Sequence, residues 1–308
     1  MHPQEPPLIG AVVVLFFPDE DLIRRLLSGL KGQVGKIYIV DNTPKGTVNW
    51  PSIEWFLTNH YDVTYQSFED NYGVAKAQNV GIELALNGGC NHVILFDQDS
   101  AIPKGMVKNL LSAEQDLIAQ GLPVGVVGPI FVDEKTGKYS NIFSHNRFFI
   151  KRVNVSPSNS KPINADYVIA SGSLIRADVL KSVGLMREHL FIDWVDIEWC
   201  LRANKLGFLH FAIPTATMLH SIGDGTVSLG VRSIHLHSDL RHYYIVRNAC
   251  HLILDSQIDR KWRINMLVKI PLWVVFFSLT SKSKPSAFKL LLRACVDGFS
   301  GRLGKLAA

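Results

Sequence analysis

Two aspartates follow a strongly apolar run in the first third of the chain. Residues 91–100 read Asn-His-Val-Ile-Leu-Phe-Asp-Gln-Asp-Ser, and such a run is typical of a strand buried on both faces of a parallel sheet. Ligands of open α/β sheets bind beyond the carboxyl ends of the strands, so Asp97 and Asp99 stand where a site is expected. Carboxylates spaced in this way suit Mg²⁺ or Mn²⁺, which in turn holds a diphosphate. The alternative is that both acids cap the next helix, with Pro103 near its first turn.

A second group of acids lies about one hundred residues further on. Asp193, Asp196 and Glu198 fall within six residues at the predicted start of a helix. Three acids there can simply stabilise the helix dipole. Their neighbours are aromatic or apolar, namely Phe191, Trp194, Ile197 and Trp199. Because desolvation among such groups raises the pKa of a carboxyl, the pattern favours a general base.

Three further positions are weaker candidates when taken alone. Asp41 ends a predicted strand and can accept a hydrogen bond from a base or a ribose, but Asp-Asn-Thr-Pro also forms an Asx-turn by itself. Gly73 opens a predicted helix whose free N–H groups can face an anion, although no Walker or GxGxxG pattern is present. His220 follows a predicted strand, where a lone histidine is more often structural than a ligand.

The elements that must position these groups alternate between strand and helix. The run Ile9–Phe17 predicts a buried strand, Asp19–Gly32 an amphipathic helix and Lys36–Val40 a second strand. Strand, helix and strand within about forty residues form a βαβ unit with a right-handed parallel crossover. A later strand is predicted through Tyr167–Ala170, interrupted by the small residues Ser171–Ser173.

Size and composition agree with one large α/β domain carrying an extension. The chain has 308 residues, of which 47% are hydrophobic and 19% charged, enough to bury a substantial core. Four separated cysteines read as free thiols in a reducing compartment. Since the N-terminus lacks a secretion signal, a cytoplasmic location is expected.

The charge is concentrated near the C-terminus. From Asp259 onward there are ten Lys/Arg against two Asp, a net charge of +8, within an overall +5. A basic segment interleaved with aromatic residues suggests an anionic surface, either membrane or nucleic acid. The acidic groups argue against nucleic acid, because they would repel its phosphates.

Several segments, taken in order, resemble inverting glycosyltransferases of family 2 with the GT-A fold, and among them the bacterial rhamnosyltransferases. The segments that carry the resemblance run from about Ile9 to Asn248, and the terminal Gly301-Arg-Leu-Gly304 also fits. They are Val40-Asp41-Asn42, the spaced Asn71-x-Gly73-x-Ala75-x-Ala77-x-Asn79-x-Gly81, Phe96–Asp99, Ser171–Ser173, Phe191–Arg202, His220 and Arg241-x-Tyr243-Tyr244-x-x-Arg247-Asn248.

The resemblance implies roles for the residues that match. Asp196 would be the catalytic base that deprotonates the acceptor hydroxyl. Asp193 and Glu198 remain open as that base or as acceptor-side acids, because the family's Glu before the Asp is Val195 here. Asp99 and His220 would hold the Mg²⁺ or Mn²⁺. The nucleotide-sugar contacts would come from Asp41, Gly73, Lys76, Asn79, Asp97 and Gln98.

The fold expected from the resemblance is a Rossmann-like, mostly parallel central sheet flanked by helices. A GT-A domain over residues 1–255 would divide into a donor-binding half, about 8–130, and an acceptor and catalytic half, about 131–255. Residues 256–308 would form a basic, amphipathic, helical C-terminal extension.

The resemblance also implies a substrate pair. The donor would be a nucleotide sugar, dTDP-β-L-rhamnose, and the acceptor a glycan, lipid-linked, in surface polysaccharide or O-antigen synthesis. The alternatives are a sugar nucleotidyltransferase and a non-enzymatic module that binds anionic membranes. A nucleotidyltransferase would need a Gly-rich basic loop after the first strand, where Phe16–Glu20 is apolar and acidic.

The extension has two interpretations. Met266–Leu279 is an apolar run that falls short of the roughly 20 residues of a spanning helix. Ala287–Val296 combines apolar residues with a basic face, so both segments are predicted to lie in a bilayer interface, at the inner membrane face. The alternative is a helical hairpin packed on the catalytic domain or on a second subunit of a homo-oligomer.

Overall fold

The computed structural model describes residues 7–47, 54, 57–58, 61–133, 137, 139–145, 150–155, 160–220, 226–229, 232–235 and 238–307. Within these residues the strands are β1 (Ile9–Leu15), β2 (Lys36–Asp41), β3 (Val63–Ser67), β4 (His92–Asp97), β5 (Val124–Asp133), β6 (Ile142–His145), β7 (Ile150–Val153), β8 (Ile163–Ala165), β9 (Leu174–Arg176), β10 (Leu209–His220), β11 (Thr226–Leu229) and β12 (Arg232–His235). The helices are α1 (Glu20–Leu30), α2 (Val74–Asn87), α3 (Met106–Ala119), α4 (Ala177–Val183), α5 (Val195–Lys205), α6 (Asp239–Leu254), α7 (Arg260–Thr280) and α8 (Lys284–Phe299).

The central sheet has eight strands in the order β3-β2-β1-β4-β9-β5-β10-β8. The pairs among β3, β2, β1 and β4 are parallel, as are β5 and β10. Short β9 is antiparallel to both β4 and β5, so those two strands run in the same direction. The carboxyl ends of β1, β2, β4, β5 and β10 therefore share one edge of the sheet. The predicted mostly parallel α/β sheet is confirmed.

One predicted strand is wrong. Residues 166–173 are not in a strand, and regular pairing begins only at Leu174 in β9. The segment instead bends across the end of β4, where the Gly172 N–H donates to Leu95 O at 2.6 Å and the Ser173 carbonyl accepts from Leu95 N at 3.1 Å. The bend brings the Ala170 backbone to α5, where its N–H donates to the Asp196 carboxylate at 2.9 Å.

Helices α6, α7 and α8 form a packed group beside the sheet. Their shared core includes Tyr243, Trp262, Met266, Phe277 and Leu291. The approach of α8 to α6 is close, because a Cβ built on Gly298 would lie 2.3 Å from the Arg247 carbonyl oxygen. The helical hairpin of the extension packs on the catalytic domain, and much of its outer side is exposed, so contact of that side with a bilayer stays a prediction.

Helix α7 is longer than its apolar run. At 21 residues it is, among the described residues, the one helix long and apolar enough to cross a membrane by length and composition, so the prediction that the segment is too short was wrong. The charged and polar residues of its first turn extend the helix beyond the apolar run. Asp259 caps that turn, since its side chain accepts from Lys261 N at 2.8 Å.

Candidate active site

The turn that follows β4 carries the first two carboxylates. Asp97 is the last residue of β4, and Asp99 lies two residues further on, both partly exposed. Ser171 fixes the turn, since its Oγ lies 2.6 Å from Ser100 Oγ and accepts from Asp97 N at 3.3 Å. We call residues 97–100 the strand-end turn. It lies at the shared carboxyl edge of the parallel strands, as the sequence predicts.

The charges of this turn are not balanced locally. Burial, together with the neighbouring carboxylates of Asp99 and Asp196, raises the pKa of Asp97 to about 6, while Arg241 acts in the opposite direction. Among the described residues we find no hydrogen bond or ion pair to the Asp99 carboxylate. A hard divalent cation would compensate clustered acids of this kind, so the chemistry of Asp97 and Asp99 fits the metal that the resemblance implies.

The second predicted metal ligand, His220, ends β10. An isolated bridge between Ala101 and Leu219 brings this end of the strand against the strand-end turn. The His220 side chain lies outside the described part of the structure. Within that part, no group of three His, Cys, Asp or Glu side chains is arranged to hold a metal.

The second acidic group lies on a backbone of unusual conformation. Phe191, Asp193 and Trp194 have φ angles of 67°, 60° and 65°, in the left-handed region that side-chain-bearing residues avoid. Each such residue costs of the order of 1–3 kcal/mol unless its surroundings hold it. We call residues 191–198 the acidic loop; it includes the first turn of α5.

Side chains from α6 hold the acidic loop in place. The Asn248 amide donates to the carbonyls of Leu190, Ile192 and Asp193 at 2.9, 2.8 and 3.1 Å. The guanidinium of Arg247, which is itself fixed by Asn248 Oδ1 at 2.8 Å, also donates to Leu190 O at 2.9 Å. Both residues are fully buried, and their bonds to Leu190 O are made away from water, whereas those to Ile192 O and Asp193 O are partly buried.

The chain returns to the same place near its C-terminus. Gly304 N donates to His189 O at 2.8 Å, Leu306 N donates to Tyr244 Oη at 2.9 Å, and Lys305 Nζ lies 2.9 Å from Asp70 Oδ1. The Gly304 carbonyl accepts from Arg247 Nη1. We call residues 304–306 the C-terminal strap. It closes over the elements that support the acidic loop.

Asp196 lies in the first turn of α5 with both oxygens in use. Oδ2 accepts from Ala170 N at 2.9 Å and Oδ1 accepts from its neighbour Ile197 N at 2.8 Å. Burial raises the pKa of Asp196, since apolar walls that include Val168 and Trp199 line the space beside it, while the two N–H donors act in the opposite direction. Each oxygen keeps a second lone pair, so the carboxylate is oriented and can still accept a proton.

The two other acids of the loop are held by arginines. Asp193 accepts from Arg241 Nη2 at 3.1 Å and from its Nε at 3.2 Å. Glu198 is fully buried, with Arg202 Nε at 2.7 Å and Arg187 Nε at 3.0 Å. Both oxygens of Glu198 are thus taken up by guanidiniums, since Arg202 Nη2 also lies 3.2 Å from Oε2. The geometry therefore favours Asp196 over Glu198 as the residue that takes a proton.

The predicted donor residues occupy different surroundings. Asp41 is fully buried: its Oδ1 accepts from Thr43 N at 2.9 Å, which forms the Asx-turn, and its Oδ2 accepts from Tyr65 Oη at 3.3 Å. Burial raises the pKa of Asp41. Gln98 is clamped to the backbone of Phe16, accepting from its N–H at 2.8 Å and donating to its carbonyl at 3.0 Å.

Three predicted donor residues on or before α2 face the segment that leads into the acidic loop. A Cβ at Gly73, where φ is 87°, would lie 2.5 Å from Phe191 O, so only glycine permits this approach. Asn79 is buried and exchanges hydrogen bonds with the Met186 backbone at 2.8 and 2.9 Å. Lys76 Nζ lies 3.1 Å from Glu188. These contacts support the loop; nucleotide contacts by the three residues remain a prediction.

Sequence reasoning gave no role to two features of this edge. Arg241 belongs to a matched segment, and its guanidinium donates to Asp193. Its positive charge also acts on Asp97, where it partly offsets the rise in the pKa of that carboxyl. Phe16, Phe17 and Tyr72 are about half exposed at the ends of β1 and before α2. In the sequence Phe16 and Phe17 appear only as apolar residues that continue the β1 run.

The sheet, with acidic groups at its carboxyl edge, has the arrangement of the GT-A fold. Staphylococcus aureus TarS 1–349 superposes with a TM-score of 0.58 at 15% identity over 96% of this chain and 82% of that one. The mannosyltransferase PcManGT from Pyrobaculum calidifontis, solved with GDP-Man and Mn²⁺, gives a TM-score of 0.51 at 15% identity over 98% and 77%. At these identities the likeness establishes the fold alone.

The family follows from a closer relative. The chain is 32% identical over 296 residues to the dTDP-rhamnosyl transferase RfbF of Shigella flexneri, covering 96% of this chain and 97% of that protein. A scan against protein-family profiles found no match. The chain belongs to the rhamnosyltransferase-like group of inverting glycosyltransferases in family 2, and it is an enzyme of the hexosyltransferase class. The nucleotidyltransferase and non-enzymatic alternatives are thereby set aside.

Proposed function

We propose that the protein transfers L-rhamnose from dTDP-β-L-rhamnose to a glycan acceptor, with inversion at the anomeric carbon. The observation that carries the proposal is the meeting of Asp97, Asp99 and Asp196 at one sheet edge, in a chain related along its whole length to a dTDP-rhamnosyl transferase. The acceptor we propose is a lipid-linked glycan of bacterial surface polysaccharide or O-antigen synthesis.

Asp99, with His220, would hold Mg²⁺ or Mn²⁺. When bound, the ion supplies positive charge against the departing diphosphate. Asp97, two residues before Asp99, would face the ribose or base side of the donor. Asp41, deeper in the sheet, would support the turn that the base contacts.

Asp196 acts on the other substrate. The acceptor hydroxyl oxygen bonds to the anomeric carbon while the bond from that carbon to the diphosphate oxygen breaks, and the hydroxyl proton passes to the Asp196 carboxylate. The N–H groups of Ala170 and Ile197 hold the carboxylate in one orientation during this step. Attack from the side opposite the leaving group gives inversion and, from the β-linked donor, an α-L-rhamnoside.

Thermal unfolding in a panel of donors tests the substrate. A ligand present at 100 times its Kd stabilises the folded state by about 2.7 kcal/mol, so the true donor should raise Tm measurably. With Mg²⁺ or Mn²⁺ present, dTDP-rhamnose should raise Tm more than UDP-GlcNAc or GDP-mannose, and the shift should fall when EDTA is added. A larger shift with a UDP or GDP sugar would refute the proposed donor.

A turnover assay tests the reaction itself. Membrane extracts that contain lipid-linked glycans should accept labelled rhamnose from dTDP-rhamnose, and NMR of the product should show the α-linkage. Transfer with retention of configuration would contradict the role given to Asp196. Asp196→Asn serves as the inactive control.

A further inference from the structure

The outer side of α7 is apolar and exposed. Six residues contribute, each 50–64% exposed: Ile264, Leu267, Val268, Leu272, Val275 and Leu279. At about 100° per residue they fall within an arc of about 140° on the helix. The opposite side of the helix, which includes Met266 and Phe277, is buried against its neighbours. This pattern is a continuous stripe and not a scatter of single apolar residues.

Helix α8 repeats the arrangement. Phe288, Leu292, Val296 and Phe299 are 44–55% exposed and fall within an arc of about 80°. Leu291 and Ala294, on the other side, are buried in the core shared with α6. Because α7 and α8 pack on each other and both pack on α6, their exposed stripes face away from the domain. We call these ten residues together the outer apolar face.

Basic side chains border this face at the α7–α8 turn and along one side of α8. Lys282, Lys284, Lys289 and Arg293 are exposed in the α7–α8 turn and along α8. Of the two acids of the segment, Asp259 caps α7 through Lys261 N. Buried Asp297 pairs with Arg293, whose Nε lies 3.4 Å from Oδ2, and also accepts from Tyr243 Oη at 2.7 Å and from Arg302 Nε at 2.6 Å. The result is an apolar surface bordered by positive charge.

These features distinguish among the surfaces that could cover the face. A second copy of this chain, related by two-fold symmetry, would bring two equally basic borders into one interface, whereas of the two acids of the segment Asp297 is buried and Asp259 caps α7. A bilayer crossing would require α7 to leave its buried contacts, which include Trp262, Met266 and Ile270. A bilayer surface with anionic headgroups satisfies both the apolar stripe and the charge around it.

We infer that the outer apolar face of α7 and α8 docks on the surface of an anionic lipid bilayer, with the two helices lying along the interface. The inference rests on the exposed residues and their charge, and adds to the proposed function the membrane at which a lipid-linked acceptor would be met. Docking in this way places the enzyme at the inner face of the membrane while the catalytic domain stays in the aqueous phase.

Vesicle flotation with the full chain tests the inference. The probes are vesicles of phosphatidylcholine with about one third phosphatidylglycerol, and vesicles of phosphatidylcholine alone, at low and high salt. We expect flotation on the anionic vesicles at low salt, at least tenfold less on the neutral ones, and a marked loss at high salt, since surface charges are screened. Absence of flotation on anionic vesicles at low salt would overturn the inference.

Paired variants separate the face from general surface effects. Leu272→Glu combined with Val275→Glu should abolish flotation. Leu206→Glu is the matched control, because Leu206 is 58% exposed at the end of α5 and lies outside the face, and it should float as the unaltered protein does. Lys282→Gln with Lys284→Gln should reduce flotation and its dependence on salt. Circular dichroism melting checks that every variant folds; Val268→Gln replaces the double variant if that one does not.

Light scattering during gel filtration completes the test. If the Leu272→Glu, Val275→Glu protein and the unaltered protein float equally, the face is not the docking surface. If the unaltered protein is a dimer that the double variant dissociates, a second copy covers the face and the inference is overturned. Neither readout depends on catalysis, so such a failure leaves the proposed rhamnosyl transfer untouched, and a failure of rhamnosyl transfer leaves the docking result interpretable.

Discussion

The two acidic segments of the site are built in opposite ways. The strand-end turn follows directly from β4, whose pairing with β1 places Asp97 at the edge of a regular parallel sheet. The acidic loop has three residues in the left-handed region and depends on side chains that come from α6, about fifty residues later in the chain. One segment is positioned by backbone pairing with its neighbours, and the other by buried side-chain hydrogen bonds from a distant helix.

The difference explains which parts of the site could be predicted from sequence. A strand followed by two aspartates is a local pattern, and the parallel order of the strands determines where its end lies. The contacts of Asn248 with the acidic loop join residues 55–58 positions apart, and no local pattern reports them. The sequence matched Asn248 to a family segment but gave no reason for its presence.

The same distinction applies to the errors. Tyr167–Ala170 has the composition of a strand, yet its backbone serves Asp196 through the Ala170 N–H, so a tertiary contact overrides the local preference. Donor binding by Asn79 and Lys76 stays a prediction, and the contacts that the structure describes for them, to Met186 and Glu188, were not predicted. The parallel direction of the strands and the position of their ends were predictable, whereas the partners of buried polar side chains were not.

The largest expected effect is that of replacing Asp196, the proposed base in the acidic loop. Asp196→Asn should lower kcat by about 10²–10⁴-fold, because a positioned base contributes about that much, while the Kd for dTDP-rhamnose changes little. Quenched turnover assays and calorimetry measure the two quantities. Glu198→Gln is the comparison: it should unfold or destabilise the protein, since it leaves Arg187 and Arg202 without their shared partner. Full activity in Asp196→Asn would move the base elsewhere.

Next in size is the loss of Asp99 from the strand-end turn. Asp99→Asn should leave Tm in the absence of ligand nearly unchanged, because no described residue bonds to this carboxylate, but should remove the metal-dependent part of dTDP binding. Calorimetric titration with dTDP, with Mn²⁺ and with EDTA, separates that part. An affinity that still rises with Mn²⁺ to the original extent would show that the ion is held by other groups.

A third change breaks the support of the acidic loop without altering an acid. Asn248→Ala removes the amide that donates to three carbonyls, one buried and two partly buried, and should destabilise the protein by about 1–3 kcal/mol. It should lower kcat with little effect on donor Kd, because the strand-end turn does not depend on it. Asn109→Ala is the matched control, since that amide makes a single bond to Thr215 O at 2.7 Å on the surface. Equal loss of donor affinity and kcat in Asn248→Ala would remove the distinction between the two segments.

The smallest expected effect is that of pH on His210, a histidine that links β5 of the sheet to α5. His210 is fully buried; its Nδ1 accepts from Val126 N at 3.2 Å, and its Nε2 lies 2.9 Å from Cys200 O of α5. Burial lowers the pKa of His210 to about 4, below the 6.5 of an exposed histidine. The stability that depends on the neutral ring is therefore present above pH 6.5 and is lost as the pH falls from 6.5 toward 4.

Between pH 8 and pH 5 this single group should cost about 2 kcal/mol of unfolding free energy. Urea denaturation at several pH values measures it. His210→Gln should lower stability at pH 8 and flatten the dependence between pH 6.5 and 4. An unchanged slope in that variant would mean that other groups control the acid sensitivity.

The C-terminal strap has a consequence for the order in which the protein becomes active during synthesis. Residues 304–306 close over the support of the acidic loop, and they are translated more than one hundred residues after Asp196. At about 5–20 residues per second, the ribosome needs roughly 5–20 s to travel that distance. During this interval β1–β4 and the strand-end turn can already form, whereas Asp196 still lacks the residues that hold its loop. In a nascent chain the donor-binding part should thus fold before Asp196 is held in position. The site should be complete only when the C-terminal strap emerges.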